Sequence, residues 1–197
     1  MNGTPASQGD FAALDFECTG PAPGFQNTPW QIGIVRVTQG HVDMSRSFSS
    51  LLRVPPEQPF NPYTPGRWAQ LRPELAAAPT PQELWPCLRE FLCGVPLVAH
   101  NTPTERTFLT QLFPLQPFGP WLDTLPLARR AFPRQRDYKL ENLIPNLGLA
   151  AVVAERCPGG APHDALYDAV ACASLLELVV NAPGWQNIST ELLITLH

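Results

Sequence analysis

Two carboxylates stand two positions apart near the start of the chain, at the end of a short apolar run. The run Phe11–Leu14 leads into Asp15, Phe16 and Glu17, and a Thr-Gly pair follows. Such a run is typical of a buried strand, on which residues two apart share a face. Asp15 and Glu17 therefore point to one side while Phe16 points into a core. Neighbouring carboxylates repel unless a proton or cation lies between them, so the pair predicts a Mg²⁺ or Mn²⁺ site, with a solvated strand edge as the alternative.

Three later stretches place polar side chains beside predicted strand ends or helix starts. They are His100-Asn101-Thr102-Pro103-Thr104-Glu105, residues 123–129, and residues 163–168. In the third stretch we expect the side chain of Asp164 to cap a long helix. Asp168 lies one turn later, where a carboxylate either meets solvent or, as we favour, points into a site. His163 is either a solvent-exposed histidine or a general base, since imidazole titrates near neutral pH.

The hydrophobic pattern predicts the elements that must position these groups. Strands are expected over residues 11–17, 30–38, 42–52 and 96–101, of which the first three form an antiparallel meander. Helices are expected over residues 81–93, 103–113, 123–132, 140–147 and 164–180. A meander followed by strands alternating with helices predicts an α/β chain, in which helices cover both faces of a mixed sheet.

The 197 residues are enough for one domain with a full core. We expect residues 1–9 to form a flexible tail and residues 10–197 a single domain. Prolines concentrate between residues 54 and 82, which predicts a loop with only short helical turns around residues 68–75. That loop either walls a cleft or, as we slightly favour, is a surface excursion.

Several classes of protein are disfavoured by composition. No apolar run is long enough to span a membrane, and the polar start does not resemble a secretion signal. Five cysteines without a C-x-x-C spacing predict free thiols in a reducing compartment, and we expect a cytoplasmic protein. A net charge of −4 opposes broad coating of duplex nucleic acid, although it permits a local basic patch.

One such patch is present in the second half of the chain. Five of the thirteen lysines and arginines fall in one segment, at Arg129, Arg130, Arg134, Arg136 and Lys139. Aromatic residues are interleaved with them. The segment is either a rim that contacts phosphates or an ordinary solvated helix end.

Three motifs together resemble those of the DEDDh (DnaQ-like) 3'-5' exonucleases, a family that includes proofreading subunits, RNase T and oligoribonuclease. They are Ala13-Leu-Asp-Phe-Glu-Cys-Thr-Gly20, Val98-Ala-His-Asn101 with an acid at position 105, and His163-x-x-x-x-Asp168. The resemblance runs from about residue 11 to residue 180. It implies an RNase H-like fold, a five-stranded mixed sheet in which two parallel strands follow the meander. It also implies metal-dependent hydrolysis of single-stranded DNA or RNA from the 3' end.

The resemblance also implies roles for individual residues. Asp15, Glu17 and Asp168 would hold one Mg²⁺ or Mn²⁺ ion, Asp15 and Glu105 would hold a second, and His163 would be the general base. Two such ions can stabilise both the attacking and the leaving oxygen of a displacement at phosphorus. The candidate substrate-binding residues are Phe16, Cys18, Thr19, His100 and Asn101, together with Arg134 and Arg136 of the basic segment.

Glu105 departs from the family pattern, which usually has Phe-Asp where this chain has Thr104-Glu105. Thr102, Pro103 and Glu105 also fit a capping box, in which the glutamate reaches back to the N-cap. A glutamate in that position cannot also reach a metal. We favour the metal role, because a contact through water absorbs the extra methylene.

Other functions remain as alternatives. A degenerate nuclease domain that only binds nucleic acid or a protein partner is the main one. A phosphatase with a nucleophilic Asp is disfavoured, because Glu17 stands at the third motif position and no later Gly-Asp-x-x-x-Asp follows. Only a short segment follows the last core helix, so we expect a free-standing enzyme rather than a polymerase subunit.

Overall fold

One five-stranded sheet with helices on both faces forms the structure, a computed structural model that describes residues 3–196. The strands are β1 (Phe11–Cys18), β2 (Pro29–Thr38), β3 (His41–Leu51), β4 (Leu97–Ala99) and β5 (Trp121–Asp123). The helices are α1 (Trp68–Leu75), α2 (Pro81–Leu92), α3 (Pro103–Leu112), α4 (Thr124–Ala131), α5 (Leu140–Asn146), α6 (Ala150–Arg156), α7 (Ala165–Val180) and α8 (Thr190–Ile194).

The strand order in the sheet is β3-β2-β1-β4-β5. The first three strands pair antiparallel, and β4 and β5 continue the sheet parallel to β1. This confirms the predicted α/β fold with a three-stranded meander and two parallel strands. Because β1, β4 and β5 are parallel neighbours, their carboxyl ends lie at one edge of the sheet, where the first motif, the second motif and the stretch from Asp123 are found.

Successive residues of β1 are buried on opposite faces of the sheet. Phe11 and Ala13 belong to the core cluster that includes most of α7. Leu14 and Phe16 belong to the cluster on the other face, with residues of α2 and α3. Since side chains alternate along a strand, the positions that follow Phe11 and Ala13 on the α7 side are the two acids of the first motif.

Helix α7 crosses the sheet in close contact with β2. A Cβ at Gly33 would lie 2.2 Å from backbone atoms of Ala165 and Leu166, so a side chain there would force the helix away. Gly33 pairs with Asp15 on the neighbouring strand. The close approach therefore brings the first turn of α7, which carries Asp168, next to the first motif.

The proline-rich segment between β3 and α2 lies against the site. Its Gly66 has φ +96°, and a Cβ there would lie 3.1 Å from the carbonyl oxygen of His163 and 3.6 Å from Oε2 of Glu17. Any side chain would strain the backbone and narrow this approach. The segment thus walls the site, which is the interpretation that the sequence disfavoured.

The N-terminal segment is packed where a flexible tail was expected. Residues Ala6–Gln8 form a 3₁₀ turn, and Ala6 is fully buried. The Ala6 N–H donates to the carbonyl oxygen of Ile188 at 2.8 Å, and the Thr190 N–H donates to that of Thr4 at 3.0 Å. Because backbone hydrogen bonds do not depend on side-chain type, the sequence of this segment carries no hydrophobic pattern that would have predicted its packing. Residues 1 and 2 of the predicted tail lie outside the described residues.

Two further features bear on the environment of the protein. Within residues 3–196, no helix is long and apolar enough to cross a membrane. All five cysteines are free thiols. Cys172 of α7 is buried in the core, where it packs as a small apolar side chain, whereas Cys87 and Cys93 are exposed.

Candidate active site

Asp15, Glu17 and Asp168 meet where β1 ends and α7 begins. An oxygen of Glu17, an oxygen of Asp168 and a ring nitrogen of His163 all lie within 4.8 Å of one another. Glu17 is only 6% exposed, whereas Asp15 lines an open cleft beside it. The structure therefore brings together the four residues on which the first and third motifs depend.

These carboxyl groups disturb one another strongly. Burial, followed by the charge of Asp168, raises the pKa of Glu17 to about 8. Burial also raises the pKa of Asp168 to about 6, against the opposing effect of a hydrogen bond from His163. Burial and then the charges of neighbouring acids raise the pKa of Asp15 well above its usual range. Near neutral pH the cluster thus holds protons that a cation could replace.

Glu105 faces the same cluster and does not form the capping box that its sequence permits. Thr102 has helical angles and no side-chain capping bond, because its N–H and its hydroxyl both donate to Oδ2 of Asp123, at 3.0 and 3.2 Å. Glu105 is 4% exposed, and burial raises its pKa to about 7. Among the described residues, its Oε2 has no hydrogen-bond partner. A buried carboxylate oxygen without a partner requires an explanation, and a nearby cation supplies one.

This donor set fits a divalent metal. Four carboxylates from β1, α3 and α7 converge, and burial together with like charge raises each pKa. Carboxylate oxygens are the ligands that Mg²⁺ and Mn²⁺ favour. The unpartnered Oε2 of Glu105 adds an acceptor that the protein itself leaves unused.

His163 is held at its backbone while its ring stays accessible. It has a left-handed φ of +66°, and its N–H donates to Oδ2 of Asp168 at 2.8 Å. Its Nε2 lies 3.2 Å from Oε2 of Glu141, and its side chain is 39% exposed. The imidazole therefore borders both the acids and the open cleft.

Asp164 does not cap α7 through its side chain, contrary to the sequence-based expectation. Its Oδ2 accepts from Nη2 of Arg67 at 2.7 Å and from Nε2 of Gln31 at 3.3 Å. The first N–H of α7, that of Ala165, instead donates to the side-chain oxygen of Gln31 at 3.4 Å. The arginine of the proline-rich wall thus engages the carboxylate that was predicted to cap.

Asp123 organises the second motif. Its Oδ1 accepts from the backbone of Asn101 at 2.9 Å and from that of Leu125 at 2.9 Å, which caps α4. The bond holds Asn101 at a φ of +73° with its side chain exposed on the cleft wall. Asn101 is therefore placed where the resemblance expected it.

The ring nitrogens of His100 form hydrogen bonds within the protein and do not point into the cleft as free donors or acceptors. Its Nε2 lies 2.7 Å from the carbonyl oxygen of Tyr138, so that nitrogen carries the hydrogen. Its Nδ1 lies 2.9 Å from Oγ1 of Thr124, and burial lowers the pKa of His100. Both nitrogens of the neutral ring are then bonded within the protein. Its predicted substrate contact reduces to the ring surface that lines the cleft.

Three further candidates of the first motif hold the local structure. Phe16 is 5% exposed and packs edge-to-face on Phe108 with ring centres 5.6 Å apart. The thiol of Cys18 accepts from the amide of Asn27 at 3.4 Å. Thr19 is fully buried, and its backbone N–H and C=O bond to neighbouring loops. The structure places these side chains in packing and loop contacts, away from the cleft.

A cleft of about 680 Å³ adjoins the acids. Its lining includes motif residues Asp15, Asn101, His163 and Asp168 together with Arg129, Arg136, Tyr138 and Lys139. We call residues 129–139 the basic strap. Of the two arginines chosen from the sequence, Arg136 lines the cleft and Arg134 does not.

The structure adds site residues that the sequence did not single out. Glu141 lines the cleft and contacts His163. Asp137 accepts from the N–H of Lys139 at 2.9 Å, which shapes the strap. Gly66 and Arg67 form the wall. Only the Pro-Gly pair at 65–66 gave a signal, since it marks a turn; the acid at 141 is an unremarkable first-turn residue in its sequence.

Comparison with known proteins identifies relatives of this arrangement. The RNase T model, described as an exonuclease, matches residues 12–176. None of the proteins whose function has been curated matches the sequence. A structure of Exonuclease X with 5' overhanging duplex DNA is 28% identical, with a TM-score of 0.64 over 89% of this chain and 93% of that one.

Two more distant structures share the fold. The nuclease domain of 3'hExo, a DEDDh family member bound to rAMP, is 20% identical, with a TM-score of 0.69 over 90% of this chain and 94% of that one. S. pombe Pop2p in its Mg²⁺- and Mn²⁺-bound form is 13% identical, with a TM-score of 0.68 over 95% of this chain and 89% of that one.

Proposed function

The chain belongs to the DEDDh (DnaQ-like) exonuclease family, and on that premise we propose that it removes nucleotides from the 3' ends of single-stranded DNA or RNA with two divalent metal ions. The observation that carries the proposal is the set of four converging carboxylates, each with a raised pKa. A folded protein retains such repulsion where it serves a function. Divalent metal is typical of this family, and the Pop2p structure holds Mg²⁺ and Mn²⁺.

Each acid has a place in this proposal. Asp15, Glu17 and Asp168 would hold one ion, and Asp15 and Glu105 would hold the second. The ions would supply charge neutralisation at the phosphate and would orient the attacking and leaving oxygens. Asn101 and the ring of His100 border the terminal nucleotide in the cleft.

His163 takes the proton of the attacking water in this proposal. Water attacks phosphorus, the bond from phosphorus to the 3' oxygen of the preceding nucleotide breaks, and that oxygen takes up a proton from solvent. The products are a nucleoside 5'-monophosphate and a strand shortened by one residue with a new 3' hydroxyl. Removal of His163 is expected to lower kcat on the order of 10²- to 10⁴-fold, with metal binding retained. Loss of metal affinity would make it a ligand instead.

The basic strap contacts the phosphates upstream of the cleaved bond. Arg136 and Lys139 line the same cleft as Asp15 and Asp168, so a nucleic-acid strand whose 3' end lies at the acids would have positive charge beside its phosphates. The Exonuclease X structure contains DNA and the 3'hExo structure contains rAMP. We therefore propose that the enzyme cleaves both DNA and RNA. A local basic contact also agrees with a net charge of −4.

We further propose that the protein works in the cytoplasm. All five cysteines are free thiols, as is typical of a reducing compartment. Cell fractionation of the tagged protein tests this separately from its activity.

Cleavage of end-labelled oligonucleotides tests the activity. With a 5' label, 3'-5' removal gives a ladder that shortens one nucleotide at a time; with a 3' label, it releases labelled mononucleotide at once. Both patterns are expected with Mg²⁺ or Mn²⁺ and neither with excess chelator. Binding without any cleavage would instead support the degenerate domain.

A further inference from the structure

The ring of His163 is fixed by one carboxylate that belongs to none of the three motifs. Glu141 stands in the first turn of α5, and its Oε2 lies 3.2 Å from Nε2 of the histidine. Among residues 3–196, Glu141 is the one acidic side chain that lies this close to a nitrogen of the His163 ring. The backbone of His163 is anchored separately, through its N–H to Asp168, which fixes the residue but leaves rotation about the side chain free.

We propose that Glu141 is a positioning residue, which orients the His163 imidazole for proton transfer in the nuclease reaction. This inference rests on the proposed function. The two atoms lie at an ion-pair distance of 3.2 Å. An ionised carboxylate has no hydrogen to donate and would repel a nitrogen lone pair, so this approach favours the hydrogen on Nε2 and the lone pair of the neutral ring on Nδ1. The atom that can accept a proton is thereby defined, as outer partners define the tautomer of other functional histidines.

The position of Glu141 is itself fixed by the strap. His100 donates from Nε2 to the carbonyl oxygen of Tyr138 at 2.7 Å. Asp137 accepts from the N–H of Lys139, the residue that precedes α5. These two bonds determine where α5 starts, and Glu141 follows two residues later. The second motif is thus connected to the base of the third motif through the strap.

An ordinary helix charge is the competing interpretation, because an acid in a first turn favours the helix dipole. That role would change stability when removed, but it would not depend on His163. A double-mutant cycle separates the two, since coupling appears only between residues that act together.

The experiment measures kcat and KM on a single-stranded oligonucleotide for wild type, Glu141→Ala, His163→Ala and the double variant. We expect Glu141→Ala to lower kcat on the order of 10- to 100-fold, the range for outer partners of functional histidines. KM and Mn²⁺ affinity should stay within about twofold, and the loss should vanish in the His163→Ala background. Glu141→Gln should restore much of kcat, because its amide oxygen still accepts from Nε2.

Glu155→Ala on α6 is the matched control, since it removes an exposed acid far from the cleft lining. If Glu141→Ala unfolds, Glu141→Met keeps the length and helix propensity while removing the acceptor. A wild-type kcat in either variant, a rise in kcat, or an equal loss with and without His163 overturns the inference. Wild-type protein that fails to cleave, or full activity of His163→Ala, would instead defeat the proposed function.

Discussion

The acid cluster and the basic strap both contribute residues to the lining of one cleft, yet their structures differ. The acids come from three separate elements, β1, α3 and α7, and burial governs their chemistry. The strap is one continuous segment whose arginines are exposed. Hydrogen bonds from side chains to its backbone atoms hold it in place. A metal centre needs buried groups that repel one another, whereas a phosphate rim needs charges that remain solvated until the strand arrives.

The largest effect is expected at the centre of the cluster. Asp15→Asn should lower metal-dependent cleavage by roughly 10³-fold or more, because metal ions supply several kcal/mol of charge stabilisation to such a reaction. The same change should raise the melting temperature of the metal-free protein, since it removes one of the repelling charges. Cleavage rates and thermal unfolding measure the two effects. Glu74→Gln on exposed α1 is the control, and a similar loss there would contradict a specific role.

A smaller loss is expected at Glu105, the residue with the unpartnered oxygen. Glu105→Gln should lower the rate on the order of 10- to 100-fold at low Mg²⁺, with little effect on the fold, because the amide resembles the protonated acid. Glu105→Asp restores the usual residue of the family and should retain most activity. The rates are compared across a Mg²⁺ titration. Wild-type cleavage by Glu105→Gln at low Mg²⁺ would remove this residue from the metal site.

The basic strap offers a matched pair of arginines. Arg136→Ala should raise KM several-fold and reduce the slope of log affinity against log salt by about 0.7, the value for one phosphate contact on a single strand. Arg134→Ala should change neither, since Arg134 does not line the cleft. Oligonucleotide binding at several salt concentrations measures both. Equal effects of the two variants would show that the arginines of the strap act only through general surface charge and not through a specific phosphate contact.

The pH dependence of stability gives the smallest signal. The folded pKa of Glu17, about 8, lies above its ordinary value of 4.5, so the folded state keeps a proton that the unfolded state releases. This contribution is fully present below pH 4.5 and is lost as pH rises toward 8. The melting temperature of the metal-free protein should therefore fall by several degrees between pH 5 and 8. Mn²⁺ should raise it more at pH 8 than at pH 6.

Glu17→Gln serves as the control for this effect. It removes one titrating group and should make the change in melting temperature over the same range smaller, while Asp15, Glu105 and Asp168 still contribute. A flat profile in wild type, or an equal Mn²⁺ effect at both pH values, would contradict the raised pKa of the cluster.

The sequence predicted the fold and the positions of the site carboxylates better than the contacts of the residues around them. The β1 pattern predicted that Asp15 and Glu17 share a face, and helical spacing predicted that Asp168 lies one turn into a helix, because both rules are local. Only the family resemblance implied that Asp168 lies beside the other two acids. Those same rules could not show that Asp164 would bind Arg67, 97 residues away. The three residues of β5 and the five of α8 were too short to leave a pattern of their own.

Three predicted substrate-binding residues have side chains that lie away from the cleft, and the reason is the same for all three. The resemblance assigned Phe16, Cys18 and Thr19 by proximity to the motif, but packing and loop bonds decide which side chains reach the cleft. His100 and Glu141 show the converse, since their roles depend on the path of the strap. A contact between residues 100 and 138 is tertiary information, which no window of sequence contains.

The central claim is that the acid cluster is a two-metal centre, and counting bound Mn²⁺ tests it most directly. Titration calorimetry at pH 8, with nucleoside monophosphate present, should give two ions per chain for wild type. Asp15→Asn, which removes the acid shared by both proposed ions, should bind neither tightly. Wild type that binds no Mn²⁺, or binding that Asp15→Asn leaves unchanged, would contradict the account.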